Sequence, residues 1–215
     1  RRVPVLIREA QSGKAEANPW SITFKQGLFN MTTASHLFHT REQLESAGWH
    51  LEGNVFRNKE GGEFLPLYEA KMVHHFNHRW ATYEGKEARD TTLEERQDPD
   101  FCVLPRYWVD KAEVKKKLKD AGWERGWMMG WRDICRATDY RTTISSFWPT
   151  AAAGDKFLQL FSQKSPQTVA ALLCCLDAFA LDYVTRQKIA GTDLKYHYFR
   201  QLAVLPPQTF AAPCP

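Results

Sequence analysis

The sequence has no Cys-x-x-Cys spacing, the arrangement that most structural zinc sites use. Its five cysteines are Cys102, Cys135, Cys174, Cys175 and Cys214. Without paired spacings, a structural zinc site is disfavoured. An odd number of cysteines in a chain of this size favours reduced thiols, so we expect a cytoplasmic protein.

A long uninterrupted hydrophobic run is also missing. The longest, VAALLCCLDAFAL over 169–181, contains Asp177 and falls short of the ~20 residues that span a bilayer. We therefore expect a buried helix there and no membrane association. No signal-peptide pattern opens the chain, which begins RRVPVLIREA without an initiator methionine. We expect it to be a piece of a longer protein.

Neither sign of charge dominates, because 29 Lys and Arg stand against 25 Asp and Glu for a formal net charge of +4. This balance permits a polyanionic partner but does not require one. Hydrophobic residues make up 43% of the 215 positions, which is enough to fill the core of one large domain. Most of the chain is therefore expected to fold.

Capping patterns predict helices at three places. The segment 40–48 has Thr40 as its cap and Gln at the third helical position, which predicts a short helix ending at glycine. The segment 110–122 repeats this logic with Asp110 and Glu. Residues 165–191, with Ser-Pro at the start and Gly at the end, predict a long and largely buried C-terminal helix.

Short runs rich in β-branched and aromatic residues predict strands. These runs are VPVLI (3–7), WSITF (20–24), WMMGWRDI (127–134), RTTISSFW (141–148) and KFLQLF (156–161). The mixed charges of 85–100 predict a solvated loop. Strands and helices in mixed order predict an α+β fold: a mixed β-sheet with a long buried C-terminal helix.

Three histidines lie within five positions of the segment 68–80, YEAKMVHHFNHRW. His74 and His78 have the one-turn spacing of zinc-binding helices, but no glutamate lies between them and no third ligand is evident. A metal site is therefore disfavoured. Glu69 and Lys71 form a Glu-x-Lys triplet, half of a PD-(D/E)xK nuclease site that binds Mg²⁺. The upstream Asp of such a site is missing, so this nuclease is kept only as the enzymatic alternative.

A third interpretation of the same segment is an amphipathic helix. Its apolar stripe is Tyr68, Met72, Val73, Phe76 and Trp80, which leaves Lys71, His75, His78 and Arg79 toward the other side. Such a basic edge suits phosphates, and an arginine there can pair guanine O6 and N7. An ordinary solvated helix face has the same pattern, and a strand-like reading with a period of two over 74–80 is also possible, so the residues alone leave these readings open.

Four segments in this order resemble the C-terminal target-recognition region of large adenine-N6 DNA methyltransferases. They are GLFNMTTASHLFHTREQLESAGW (27–49), FLPLYEAKMVHHFNHRWATYEG (64–85), WRDICRATDYRTTISSFWP (131–149) and LLCCLDAFALDYVTRQKIAGTDLKYHYFRQLAVLPP (172–207). The relatives implied are Eco57I-like restriction-modification and phage-defence enzymes with a TaqI-like specificity domain. The resemblance divides the chain into an entry segment (1–26), a DNA target-recognition domain (27–207) and a tail (208–215).

The resemblance implies a catalytic domain with a glycine loop for S-adenosylmethionine and an Asn-Pro-Pro-aromatic motif for the flipped adenine. This chain has neither, because Asn18-Pro19-Trp20 lacks the second proline and GWERGWMMG (122–130) is not followed by a helix pattern. Catalysis and S-adenosylmethionine would then belong to an upstream methyltransferase domain of the same chain. We expect this fragment, with no cofactor of its own, neither to methylate nor to cut DNA.

The implied role is to bind double-stranded DNA and read its sequence, so that one adenine can be extracted. The candidate DNA-binding residues are Lys71, His78, Arg79, Arg136, Thr138, Arg141, Arg186, Lys188 and Thr192. Arg79 and Arg141 are the first expected to contact bases, whereas Arg186 and Lys188 also suit the negative end of a helix. Binding should be weak and salt-sensitive. A module that docks on another protein through its aromatic residues is the alternative without DNA.

Overall fold

The computed structural model describes residues 3–211, which form helices and sheets in mixed order. The strands are β1 (Ile22–Lys25), β2 (His50–Glu52), β3 (Val55–Arg57), β4 (Glu63–Tyr68), β5 (Ala81–Glu84), β6 (Glu87–Asp90), β7 (Trp108–Asp110), β8 (Trp127–Arg132), β9 (Ser145–Pro149), β10 (Ala152–Ala153) and β11 (Phe157–Ser162). The α-helices are α1 (Arg41–Ser46), α2 (Leu93–Gln97), α3 (Lys111–Asp120), α4 (Pro166–Leu176), α5 (Phe179–Lys188) and α6 (Tyr196–Phe199). Short 3₁₀ helices cover Ser35–Leu37, Ala70–Met72 and Pro207–Phe210. The fold is α+β, as the sequence predicts.

A four-stranded antiparallel sheet, in the order β1-β11-β8-β9, separates two hydrophobic cores. Side chains alternate between its faces, as the pleat of a strand requires. In β8, Met128 joins the core shared with α3, whereas Met129 and Trp131 join the core shared with α4. Both faces are therefore covered, and this buries β8 and β11 almost completely.

A second sheet has the order β10-β4-β3-β2, with β7 paired to β4. Helix α3 follows β7 directly and packs on this sheet through Val114 and Leu118. Its cap is the one predicted, since the Asp110 side chain accepts from the Ala112 N–H at 2.7 Å. The predicted cap of α1 is also present, and its Thr40 forms the full capping box. These caps fix where the two helices begin.

The predicted long C-terminal helix is instead two helices, α4 and α5, that meet at 61°. Asp177 ends α4, and Ala178 has an extended backbone that begins α5. Oδ1 of the Asp177 carboxyl accepts the Ser145 N–H of β9 at 3.1 Å, and this bond ties the turn between the two helices to the sheet. Among residues 3–211 no single helix is long and apolar enough to cross a membrane, and α4 with α5 reaches that length only as a bent pair.

The predicted amphipathic helix over 68–80 is wrong. β4 ends at Tyr68, a 3₁₀ turn follows, and His74–Asn77 closes a tight turn in which Phe76 has a φ of 55°. Asn77 accepts the Arg79 N–H through its side chain, a local bond that competes with helix. Met72 and Val73 are in the core as the stripe predicts, but Phe76 is 61% exposed.

Two further segments differ from the sequence expectations. The predicted loop 85–100 contains β6 and α2, and α2 begins with a capping box between Thr92 and Glu95. The predicted strand 3–7 forms a bridge between Val5 and Ala203 and backbone hydrogen bonds to the segment 200–204, but among the described residues it joins none of the sheets. In the predicted loop, the capping residues Thr92 and Glu95 start a helix, whereas the segment 3–7 pairs with a partner that is not a strand of a sheet.

The predicted domain boundaries stay predictions. β1 lies within the predicted entry segment 1–26 and is an edge strand of the four-stranded sheet. The predicted tail 208–215 begins inside the 3₁₀ helix Pro207–Phe210, and residues 212–215, including Cys214, lie outside the described residues.

Candidate nucleic-acid interface

The loop of residues 133–144 connects β8 to β9 at one end of the four-stranded sheet. Its first part is tied to the segment after α5, because the Cys135 N–H donates to the Thr192 carbonyl at 2.9 Å. Ile134 also forms a β-bridge with Asp193. The loop therefore starts from a fixed point rather than leaving the sheet freely.

Arg186 of α5 holds the middle of this loop through the backbone. Its guanidinium donates to the carbonyl oxygens of Ala137 at 3.0 Å, Asp139 at 2.6 Å and Tyr140 at 2.7 Å. The planar fork of an arginine presents donors from separate nitrogens to several acceptors, whereas the donors of a lysine all belong to one nitrogen. One side chain of α5 thus holds the middle of the loop.

Asp182 of α5 binds the backbone at the end of the same loop. Its Oδ1 accepts the backbone N–H groups of Thr142 and Thr143 at 2.8 Å each, and its Oδ2 accepts from Arg186 Nε at 3.1 Å. Burial opposes ionisation of this carboxyl, but the two backbone donors together with Arg186 and Arg141 outweigh it, so the pKa of Asp182 is lowered. A buried carboxylate therefore remains charged and aligns both Arg186 and the loop.

Arg141 closes the loop on the break between α4 and α5. It is 9% exposed, donates to the Asp177 carbonyl at 2.6 Å and lies over the Phe179 ring at 4.4 Å. Asp177 is buried as well, and burial raises its pKa to about 8. His75 Nε2 lies 3.7 Å from the Asp177 carboxyl, and burial lowers the pKa of His75. At neutral pH this is accordingly a contact between two uncharged groups, not an ion pair.

The outer side of this framework carries exposed side chains, which we call the loop surface: Arg136, Thr138, Tyr140, Phe179 and Tyr183. Tyr140 is 89% exposed, Phe179 77% and Tyr183 66%, and Arg136 and Thr138 are exposed too. Aromatic side chains normally pack inside a protein, so three exposed rings beside arginines are unusual. The loop surface combines hydrogen-bonding groups, positive charge and ring faces on a rigid support.

Five of the candidate DNA-binding residues meet here. Arg136 and Thr138 project from the loop, and Arg141 and Arg186 lie beneath it. The exposed Thr192 borders the start of the loop through its carbonyl. The structure thus separates these candidates into groups that face solvent and groups that position them.

The other four candidates lie elsewhere. Arg79 donates to the carbonyls of Arg96, Asp98 and Phe101 at 2.7 to 2.9 Å, so it holds the chain around α2. His78 is half-buried beside the Tyr68 ring, and burial lowers its pKa. Lys71 is exposed and lies 5.2 Å from the Tyr83 ring. Lys188 donates to the Gln201 carbonyl at 2.9 Å. None of these four contributes to the loop surface.

The Glu-x-Lys triplet has structural partners. The Glu69 carboxylate forms an ion pair with Arg106 at 3.2 Å and borders the Tyr83 hydroxyl, whose pKa is raised by burial and by that carboxylate. Within residues 3–211 no group of three His, Cys, Asp or Glu side chains could hold a metal ion. The histidines 74, 75 and 78 do not converge on a metal site in this part of the chain.

The two segments that differ from methyltransferase motifs have other positions in the fold. GWERGWMMG leads from α3 into β8, so Gly122 and Gly126 precede a strand, Gly130 lies within it, and the segment does not lead into a helix N-terminus that could hold an anion. The Asn18 side chain bonds the backbone N–H and carbonyl of Ile22 at 2.9 and 2.8 Å. Asn18 is thus committed to the turn before β1.

Sequence reasoning missed Tyr140, Phe179, Tyr183 and Asp182 as parts of a site. Phe179 and Tyr183 are one turn apart within an apolar run, a spacing that is equally typical of a core helix face. Only the bend after Asp177 turns them toward solvent. No model of a known protein family matches this chain, and a comparison with curated proteins gave no significant match.

Proposed function

We propose that this chain binds duplex DNA and reads its sequence through the loop surface, as the specificity part of a site-specific adenine-N6 DNA methyltransferase or restriction-modification enzyme. The observation that supports this most is the Arg186 anchor, which fixes the backbone of the loop and leaves Arg136, Thr138 and Tyr140 free. Base discrimination requires side chains held in register, and a loop without internal support would lose that register on binding.

The chemistry of the loop surface suits DNA. Arg136 can donate two hydrogen bonds to guanine, and the Thr138 hydroxyl and methyl group suit several base edges. Tyr140 has a flat, solvated ring that can stack on an unpaired base or pack along a sugar. In this proposal S-adenosylmethionine and the flipped adenine belong to an upstream domain of the same cytoplasmic enzyme, and this chain supplies no catalytic residue.

A selection from a randomised duplex pool tests the proposal. The chain should enrich a defined sequence, and Arg136→Ala should relax the preference at one position by ~1 to 3 kcal/mol while the fold is unchanged. Lys86→Ala, an exposed cation on the β5–β6 turn, is the matched control and should leave the enriched sequence as it is. Enrichment of no sequence by the unmodified chain would overturn the proposal.

The exposure of Phe179 and Tyr183 favours a second candidate, a module that docks on another protein domain. Aromatic side chains are enriched at the centres of such interfaces. The double variant Phe179→Ser/Tyr183→Ser separates the two candidates. Loss of association with the upstream domain, with the DNA preference of the chain intact, would assign these two rings to docking.

A further inference from the structure

A second cationic surface lies at the opposite end of the β8–β9 hairpin from the loop surface. It is a groove of about 700 Å³ between α3 and the turn 123–126, and Pro149 at the end of β9 closes it. β8 has six residues, so the two surfaces are roughly 20 Å apart along the strand. We call this surface the lysine groove.

Helix α3 places three lysines along the groove. Lys111, Lys115 and Lys119 all line it and are four residues apart, so successive side chains are separated by about 6 Å of helix rise. Lys111 and Arg57 form ion pairs with Glu63 and neutralise that carboxylate. Lys115 and Lys119 are exposed, and in the described part of the chain no carboxylate lies within ion-pair distance of either.

Arg125 adds a partly used guanidinium at the far wall. Its Nη2 donates to the Lys164 carbonyl at 2.6 Å, and its plane lies 5.0 and 5.3 Å from the rings of Trp123 and Trp127. Its Nη1 is buried and has no hydrogen-bond partner in the described residues. Because this Nη1 is inaccessible to solvent, Arg125 acts on an anion in the groove through its positive charge and not through this donor.

The buried side chains of Leu118 and Trp123 also line the groove. Among the described lining residues, Glu124 is the one carboxylate with no cation within ion-pair distance, against the cations Lys115, Lys119 and Arg125. An extended anion with repeated charges matches this excess of cations. Trp123, the aromatic residue of the lining, is 2% exposed, so it presents no open ring face on which a base could stack.

We propose that the lysine groove binds the phosphodiester backbone of duplex DNA without regard to sequence, an inference that rests on the proposed function. The loop surface would read bases while Lys115, Lys119 and Arg125 hold phosphates at a distance along the duplex. Phosphate contacts set register and orientation but carry no sequence information. This division gives the two ends of one hairpin different tasks on the same ligand.

The test is the salt dependence of binding to a duplex of arbitrary sequence. Each phosphate contact releases condensed counterions, so Lys115→Ala/Lys119→Ala should lower the slope of log affinity against log salt by about 2 and weaken binding roughly tenfold at low salt. Lys116→Ala, exposed on the same helix but outside the groove, is the matched control for charge and helix propensity. Thermal unfolding of all variants shows that the fold is intact.

Two comparisons identify the ligand and separate this inference from the proposed function. Inorganic tripolyphosphate at millimolar concentration should not displace the duplex; displacement with an unchanged double-variant slope would assign the groove to small phosphates and overturn the inference. The inference is also overturned if the chain selects a sequence but Lys115→Ala/Lys119→Ala leaves the slope of log affinity against log salt unchanged. If the double variant changes the salt slope but the chain selects no sequence, the result supports the lysine groove and contradicts the loop-surface proposal. If the chain binds no duplex at any salt concentration, both proposals are contradicted.

Discussion

Arg79, Arg141 and Arg186 donate hydrogen bonds to backbone carbonyls of distant segments, whereas Arg136 faces solvent. The same side chain type therefore has two tasks in this chain. A guanidinium spent on carbonyls cannot also read a guanine edge, because its donors have fixed directions. Arg79 and Arg141, the residues first expected to contact bases, hold backbone segments in this structure, and their contacts with DNA stay a prediction.

For Arg79 the expected result is a loss of stability rather than of recognition. Arg79→Ala leaves the part-buried carbonyls of Arg96 and Phe101, and the exposed carbonyl of Asp98, without their donor, so the free energy of unfolding should fall by about 1 to 3 kcal/mol. Urea unfolding measures this, with Arg136→Ala as the exposed control that should change stability little. An Arg79→Ala protein of normal stability that has lost its sequence preference would restore Arg79 as a base-reading residue.

Asp177 gives the chain a pH-dependent stability. Burial raises its pKa from 3.8 to about 8, so the folded chain keeps a proton that the unfolded chain releases. Between those two values the folded state binds more protons, and the contribution of this group to the free energy of unfolding is lost as pH rises from about 4 to about 8. Asp177→Asn should flatten that part of the profile, measured by urea unfolding at several pH values. Parallel profiles for the two proteins would contradict this.

The bend between α4 and α5 creates the loop surface. If the run 166–190 were one straight helix, Phe179 and Tyr183 would continue its buried face. The bend instead brings Asp182 and Arg186 of α5 against the loop 133–144, while Asp177 is fixed on β9. The loop surface is therefore a property of how α5 packs on the sheet end, not of the loop sequence alone.

Arg186→Lys tests this role while keeping the charge. If Arg186 acts through its fork of donors, a single ammonium nitrogen cannot replace the two guanidinium nitrogens that hold three carbonyls. Amide exchange at Asp139, Thr142 and Thr143, whose N–H groups are hydrogen-bonded within this framework, should accelerate by at least tenfold, corresponding to about 1.4 kcal/mol. DNA affinity should fall with it. If Arg186 served only to complement the negative end of α5, lysine would do so equally well, and exchange in the loop would not change.

Across the whole molecule, one antiparallel sheet separates two cores and carries a different surface at each end of its β8–β9 hairpin. The loop surface lies at the end that packs on α5, and the lysine groove lies at the end beside α3. Both cores depend on alternate side chains of the same strands. The sheet therefore fixes the distance between the two surfaces.

That separation predicts additive effects on DNA affinity. The loop variant Arg136→Ala and the groove variant Lys115→Ala/Lys119→Ala share no partner and lie roughly 20 Å apart, so their changes in binding free energy should sum to within about 0.5 kcal/mol. Titrations of the combined variant with its selected duplex measure this. A coupling well above that value would show that the two surfaces do not bind independently.

Much of the local structure could be predicted from the residues. The caps at Thr40, Asp110 and Ser165 begin helices as expected, because a side-chain oxygen next to free N–H groups acts within one turn. Strands β8, β9 and β11 were found from β-branched and aromatic runs. The segment 68–80 failed, because its apolar spacing suits a helix while Asn77 and the neighbouring histidines form a turn.

The sequence by itself determined the α+β class and the capped helix starts, because those depend on residue type and spacing. Only the tertiary structure decided which cations are free. Arg79, Arg141 and Arg186 are used internally, whereas Arg136, Lys115 and Lys119 face solvent. The physical reason is that a guanidinium binds whichever carbonyls the fold brings within reach, and those carbonyls are up to 49 positions away in the chain.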